Sequence, residues 1–148
     1  MIRFATLDDY SNITKLYNKN SKNLGRYFKN DLIERIENNR FYVYILDDLI
    51  VGFCSYDIMK RNPSIQINYL CTNADYRGKH IATDLINKII EDTKHLNLYY
   101  YAECLDGLDN NSFYDKIGKL DEVVDKGNYK IRRYIIYESN KIEKVKLW

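Results

Sequence analysis

The stretch that decides the fold is Asn73–Leu85, NADYRGKHIATDL. A polar turn gives way to Tyr-Arg-Gly-Lys-His, and an apolar-periodic segment follows at once. Ile81, Leu85, Ile86, Ile89 and Ile90 form one stripe of an amphipathic helix, with Asp84, Lys88, Glu91 and Asp92 on its wet side. The start of a helix exposes unpaired N–H groups and the positive end of the helix dipole. Arg77, Lys79 and His80 crowd that end, and no acidic residue is expected in the first turn. Such an arrangement opposes the dipole by about 0.3–1 kcal/mol per charge. An anion there reverses the sign, and phosphate is the usual guest. Gly78 permits positive φ and a close approach of main chain to ligand. Taken alone, the stretch also reads as a surface loop carrying ordinary basic residues.

Working outward, Ser64–Thr72 before the stretch and Leu96–Cys104 after the helix read as strands. Strand, helix and strand of this length make a right-handed parallel crossover. Upstream, Phe41–Leu46 and Leu49–Tyr56 flank Asp47-Asp48, a two-residue hairpin turn. Ile2–Ala5 is a short strand, followed by Thr6-Leu-Asp-Asp9, which resembles a capping box, and by Ile13, Leu16 and Tyr17 at helical spacing. Asn30 or Asp31 caps a second helix bearing Leu32, Ile33 and Ile36, and the segment between these helices reads as a polar loop. Downstream, DNNSFYDKIGK is a short helix ending at a C-cap Gly118. Glu122–Asp125 and Tyr129–Glu138 are the last strands, and residues 139–148 form a basic amphipathic tail. The order β-α-α-β-β-β-α-β-α-β-β describes an α/β protein, a mixed sheet with helices on both faces. All 148 residues are expected to form a single domain.

Composition narrows the function classes. With 45% hydrophobic and 30% charged residues the chain is globular, and a net charge of +2 does not by itself argue for nucleic acid. No window approaches a membrane span and no leader is visible, so a cytoplasmic address and no membrane partner are expected. Cys54, Cys71 and Cys104 are scattered among strand-like runs, read as buried reduced thiols; no metal site is expected.

Two motifs sharpen this. Arg77, Gly78, Lys79, His80, Ile81 and Ala82 resemble motif A of the GNAT superfamily of N-acetyltransferases, whose pattern is Arg/Gln-x-x-Gly-x-Gly/Ala. Further on, Phe113, Tyr114, Lys116, Ile117 and Gly118 resemble its motif B. The order of elements also fits, so the resemblance covers essentially the whole chain. Three positions depart from the pattern: His80 stands at a usual glycine, Gly107 at a frequent asparagine and Lys119 at a usual phenylalanine.

The resemblance implies a sheet splayed between its fourth and fifth strands, and direct transfer of an acetyl group from acetyl-CoA to a primary amine of a small molecule, peptide or protein. It implies that Leu70, Cys71 and Thr72 hold the pantetheine and that the main chain of Arg77 through Ala82 holds the pyrophosphate. Asn110 stands in for the missing motif B asparagine. Tyr114 matches the general acid. Where relatives carry a glutamate base this chain has Gln66, which leaves Glu103, acting through water, as the candidate base. Acceptor specificity falls to the 20–30 loop, with Arg26 and Tyr27, and to the final hairpin. Relatives often pair through their C-terminal strands, which makes a homodimer one arrangement the resemblance allows. Two other readings stay open: acetylation of a nucleic-acid-linked amine such as aminoacyl-tRNA, and a non-catalytic acyl-CoA-binding module.

Overall fold

The structure is a computed structural model, and it describes residues 1–25 and 27–136. Its elements in chain order are β1 (Ile2–Phe4), α1 (Tyr10–Lys19), α2 (Ser21–Leu24), α3 (Lys29–Glu37), β2 (Phe41–Leu46), β3 (Leu49–Met59), β4 (Ser64–Thr72), α4 (Ile81–Thr93), β5 (Tyr99–Leu105), α5 (Asn110–Ile117), β6 (Gly118–Asp125) and β7 (Lys130–Ile136). The strands form one mixed sheet in the order β1-β2-β3-β4-β5-β7-β6. Only β4 and β5 run parallel, as the crossover through α4 requires. The expected tail at 139–148 and the end of the last expected strand lie outside the described residues.

Alternation along β2 sets the two layers. Tyr42 faces the cluster built with α4 and α5, whereas Phe41 and Val43 face the cluster built with α1 and α3. On the first face α4 buries Ile81, Leu85, Ile86, Ile89 and Ile90, each contributing about 1.5–3 kcal/mol. On the second, Ile13, Leu16 and Tyr17 of α1 meet Leu32 and Ile36 of α3. The Asp47-Asp48 turn has positive φ at both residues (51° and 61°), the twist a tight antiparallel hairpin needs.

The sheet opens at β4. Its pairing with β5 runs from Ser64–Tyr99 to Ile67–Ala102 and stops there. At the same point a bulge sets Tyr69 and Leu70 against the single residue Cys54 of β3. Tyr69 sits in the left-handed region at φ 50°. The side-chain parity flips as a result. Ile65 and Ile67 face α4, and strict alternation would send Tyr69 with them, but Tyr69 joins the α1–α3 side. Asn68–Thr72 therefore present a strand edge that no β5 residue pairs.

Several boundaries differ from those read in the sequence. Residues 21–24 are helical rather than loop, and α3 begins at Lys29, after the extended Phe28, so neither Asn30 nor Asp31 is its cap. A short turn at Lys94–Leu96 delays β5 to Tyr99. Strand β6 starts at Gly118 itself. That glycine is extended (φ −152°), not a left-handed cap. Its requirement is spatial: a Cβ there would lie 2.6 Å from the Ile135 carbonyl oxygen on β7.

Candidate active site

The unpaired half of β4, the 73–80 loop, the first turn of α4 and helix α5 enclose a cleft of about 480 Å3. Leu70, Cys71 and Thr72 line one wall, and Thr72 Oγ1 is buried there with no partner. Burial pushes the Cys71 thiol up to about 12, with the Arg77 charge opposing. Arg77, Gly78, His80, Ile81 and Ala82 form the end of the cleft. Asn110 and Tyr114 come from α5 on the far side. The cleft thus gathers most of the residues singled out from the sequence, although they span 45 positions of chain only loosely connected in sequence pattern.

The α4 terminus stands at the end of the cleft. No side chain caps it. Gly78 has φ 81°, with open space where a side chain would be. His80 is the residue before the helix and holds φ 62°, a conformation that glycine adopts without cost and other residues adopt at a penalty. The imidazole is exposed, so the departure from glycine leaves its own N–H in place. Arg77 is also exposed. Lys79 is not part of the lining; its ammonium sits 5.2 Å from the centre of the Tyr76 ring. One detail of the first turn corrects the sequence reading: Asp84 belongs to it, its N–H donating to the His80 carbonyl at 2.9 Å.

What positions this terminus is a glycine on the sheet. Gly52 of β3 lies under Ile81, and its missing side chain lets the helix start seat directly on the strand. Sequence reading passed over Gly52, because nothing local marks it.

Tyr114 is 6% exposed and stacks on Tyr134 at 5.6 Å, with no hydrogen bond to its hydroxyl among the described residues. Burial, reinforced by the Cys54 and Cys104 thiols, raises its pKa well above the ordinary phenol value. It keeps its proton at neutral pH. The same burial pushes the Cys104 thiol up to about 11. A thiolate formed in such surroundings is a stronger base than in water, which favours its capture of a proton.

Neighbouring asparagines have different jobs. Asn111 is buried and ties the turn after β5, donating to the Leu105 carbonyl at 2.9 Å and accepting from the Gly107 N–H at 2.7 Å. Asn110 lines the cleft. Glu103 lies outside the cleft lining, exposed on β5, with Arg133 at 3.7 Å. Tyr27 is half-buried against Tyr17 at 4.6 Å and also stands outside the lining. Arg26 lies outside the described residues. Leu24 of α2 and Asn20 just before it reach the cleft, within the 20–30 segment that the sequence reads as a loop for acceptor specificity. No helix among the described residues is long and apolar enough to cross a membrane. No group of three His, Cys, Asp or Glu among them is placed to hold a metal ion.

The profile of the "Acetyltransferase (GNAT) family" matches residues 6–118. No curated protein sequence matches the chain. Among solved structures, smu.2055 from Streptococcus mutans UA159 is 22% identical, with a TM-score of 0.76 over 94% of this chain and 99% of that one. N-acetylglutamate synthase from Neisseria gonorrhoeae, crystallised with coenzyme A and N-acetyl-glutamate, is 13% identical with a TM-score of 0.75; 93% of this chain aligns, spanning 35% of the synthase. PaiA N-acetyltransferase from Thermoplasma acidophilum, in complex with coenzyme A, is 15% identical with a TM-score of 0.69 over 93% of this chain and 98% of that one. At these identities the likeness is one of fold.

Proposed function

This chain belongs to the GNAT acetyltransferase family and is an N-acetyltransferase, and from that premise we propose that it moves an acetyl group from acetyl-CoA directly to a primary amine of a small molecule, peptide or protein. The observation that carries the reading is the meeting, in one cleft, of an unpaired strand edge and an uncapped helix start, with a buried protonated phenol beside them. An extended amide-bearing arm adds to an open strand edge as another strand would. We assign the pantetheine to Leu70–Thr72 and to the orphaned Thr72 hydroxyl, and the pyrophosphate to the N–H groups from Arg77 to Ala82. Asn110 contacts the arm from α5.

In this reading the acceptor nitrogen attacks the thioester carbonyl, a C–N bond forms and the C–S bond breaks. Tyr114 gives its proton to the departing sulfur. Before the attack the acceptor ammonium gives one proton through water to Glu103, the carboxylate on β5 just beyond its last pairing with β4, and the second proton that its nitrogen sheds as the amide forms restores the Tyr114 phenol. Acceptor recognition is placed at Tyr27, whose ring joins Tyr17 and, through it, Tyr69 at the bulge. We further place the protein in the cytoplasm, in keeping with three unpaired thiols, and assign any pairing of two copies to the outer strand β6.

Release of free thiol from acetyl-CoA, followed with a panel of primary amines, tests this. Tyr114→Phe is expected to lower kcat by about 100–10,000-fold while leaving coenzyme A affinity intact. Glu103→Gln is expected to lower kcat/KM chiefly at the acid end of the profile. Turnover unchanged in Tyr114→Phe would remove the phenol from the mechanism.

A further inference from the structure

The bulge that opens β4 is held from the other side of the sheet. Asp57 on β3 accepts from the side-chain amide of Asn68 at 2.8 Å. The Asn68 side-chain oxygen in turn accepts from the Ser55 hydroxyl. Asp57 is itself gripped by Arg35 of α3, at 2.7 Å, with Arg40 at 3.3 Å on its other oxygen. The guanidinium of Arg35 also lies over the Tyr69 ring, 5.1 Å from its centre. Arg35 and Asp57 are only 15% and 21% exposed, and Arg35 Nε is buried without a partner.

Asn68 and Tyr69 are the two residues at which β4 leaves β5 and reverses its side-chain parity. Both are held by the same arginine, one through Asp57 and one by its ring. A buried ion pair adds little net stability against apolar residues of equal volume. What it supplies here is a fixed direction. A left-handed tyrosine is an uphill conformation, and a strand edge left without a neighbour has little else to hold it.

We propose that Arg35 and Asp57 are positioning residues for the cofactor edge: an α3-to-β4 strut that locks the Asn68–Tyr69 bulge and so presents Leu70–Thr72 to the pantetheine. The inference rests on the cofactor assignment above. Because α3 follows the segment that carries Tyr27, the strut also links the acceptor side to the cofactor side.

The test uses Arg35→Met, Asn68→Ala and the double variant in the full chain. Arg35→Met leaves Asp57 paired with Arg40, and Asn68→Ala leaves the Arg35–Asp57 pair whole, so the two strain folding in different ways. Amide exchange across Asn68–Thr72 in the cofactor-free protein is expected to speed up in both, with β2 remaining protected. Coenzyme A, titrated calorimetrically, is expected to bind each single variant about tenfold more weakly. The double variant is expected to fall well short of the product of the two losses, as for residues acting through one link. Arg35→Lys, which keeps the charge and loses the planar fork, is expected to recover only part of the affinity. Folded variants with unchanged exchange and unchanged coenzyme A affinity would overturn the strut. Accelerated exchange in the variants, together with a parent protein that binds no coenzyme A, would uphold the strut and overturn the cofactor reading instead.

Discussion

Gly52 and Ile81 touch across the sheet–helix interface so closely that a Cβ on residue 52 would lie 2.8 Å from Ile81 Cγ2 and 3.0 Å from the Cys71 carbonyl oxygen. The first neighbour is the tip of a side chain and can rotate. The second is main chain of the free edge of β4 and cannot yield without moving it. Gly52→Ala is therefore expected to cost about 1–3 kcal/mol of stability in denaturant melts. It is also expected to weaken coenzyme A binding, because it displaces both walls of the cleft. An Ala variant with the parent's stability and affinity would show that the contact does not set the helix position.

The helix start poses a sharper choice between main chain and side chain. His80 sits at φ 62° with an exposed ring. If the N–H groups do the binding, His80→Gly is expected to keep coenzyme A affinity within about threefold and stability within about 0.5 kcal/mol, since relief of strain offsets the added freedom of the unfolded chain. His80→Val, β-branched in a left-handed position, is expected to lose about 1–2 kcal/mol. A large loss of affinity in the glycine variant would assign the contact to the imidazole.

The acid limb of stability has a named contributor. Asp9 accepts both arms of Arg3, at 2.7 and 2.9 Å, and the Thr6 N–H at 2.8 Å. The hydrogen bonds from Arg3 are the main reason its carboxyl titrates below the ordinary value, with burial opposing. A carboxylate depressed on folding stabilises the protein above its unfolded value of about 3.9, and that contribution disappears as pH falls through the lower folded value. Urea melts of the parent and Asp9→Asn are expected to differ at pH 7 and to converge as the pH falls through and below the ordinary carboxylate range. Equal stability at pH 7 would show that the pair contributes nothing.

How much of this was legible in the sequence depends on whether the determining forces are local. Strand β4 and the buried stripe of α4 follow from periodicity, and Asp47-Asp48 from turn chemistry. The loop that leads into α4 was legible because Gly78, the basic residues and the helix start are adjacent in the chain. Helix α2 was not, since four residues with one leucine carry no period. The first half of β6 was hidden because its Lys119 and Asp121 belong to an exposed edge strand, where polar residues are expected rather than excluded. The bulge at Tyr69 depends on pairing with β3, Gly52 on the approach of α4, and the Arg133 partner of Glu103 on the neighbouring strand. None of these relations is visible along a single chain. The cleft residues from β4, the start of α4 and α5 were consequently readable residue by residue, whereas those that reach it from α2 were read only as part of a loop.

The central claim is that coenzyme A lies along the free edge of β4 with its phosphates on the start of α4. The most direct measurement is an amide-resolved NMR titration of the full chain with coenzyme A. The largest shift changes are expected at Leu70–Thr72 and at Gly78–Thr83, saturating together with one affinity. Saturable binding that leaves both segments unmoved, or that maps to the β6 edge or the face of α1, would contradict the account.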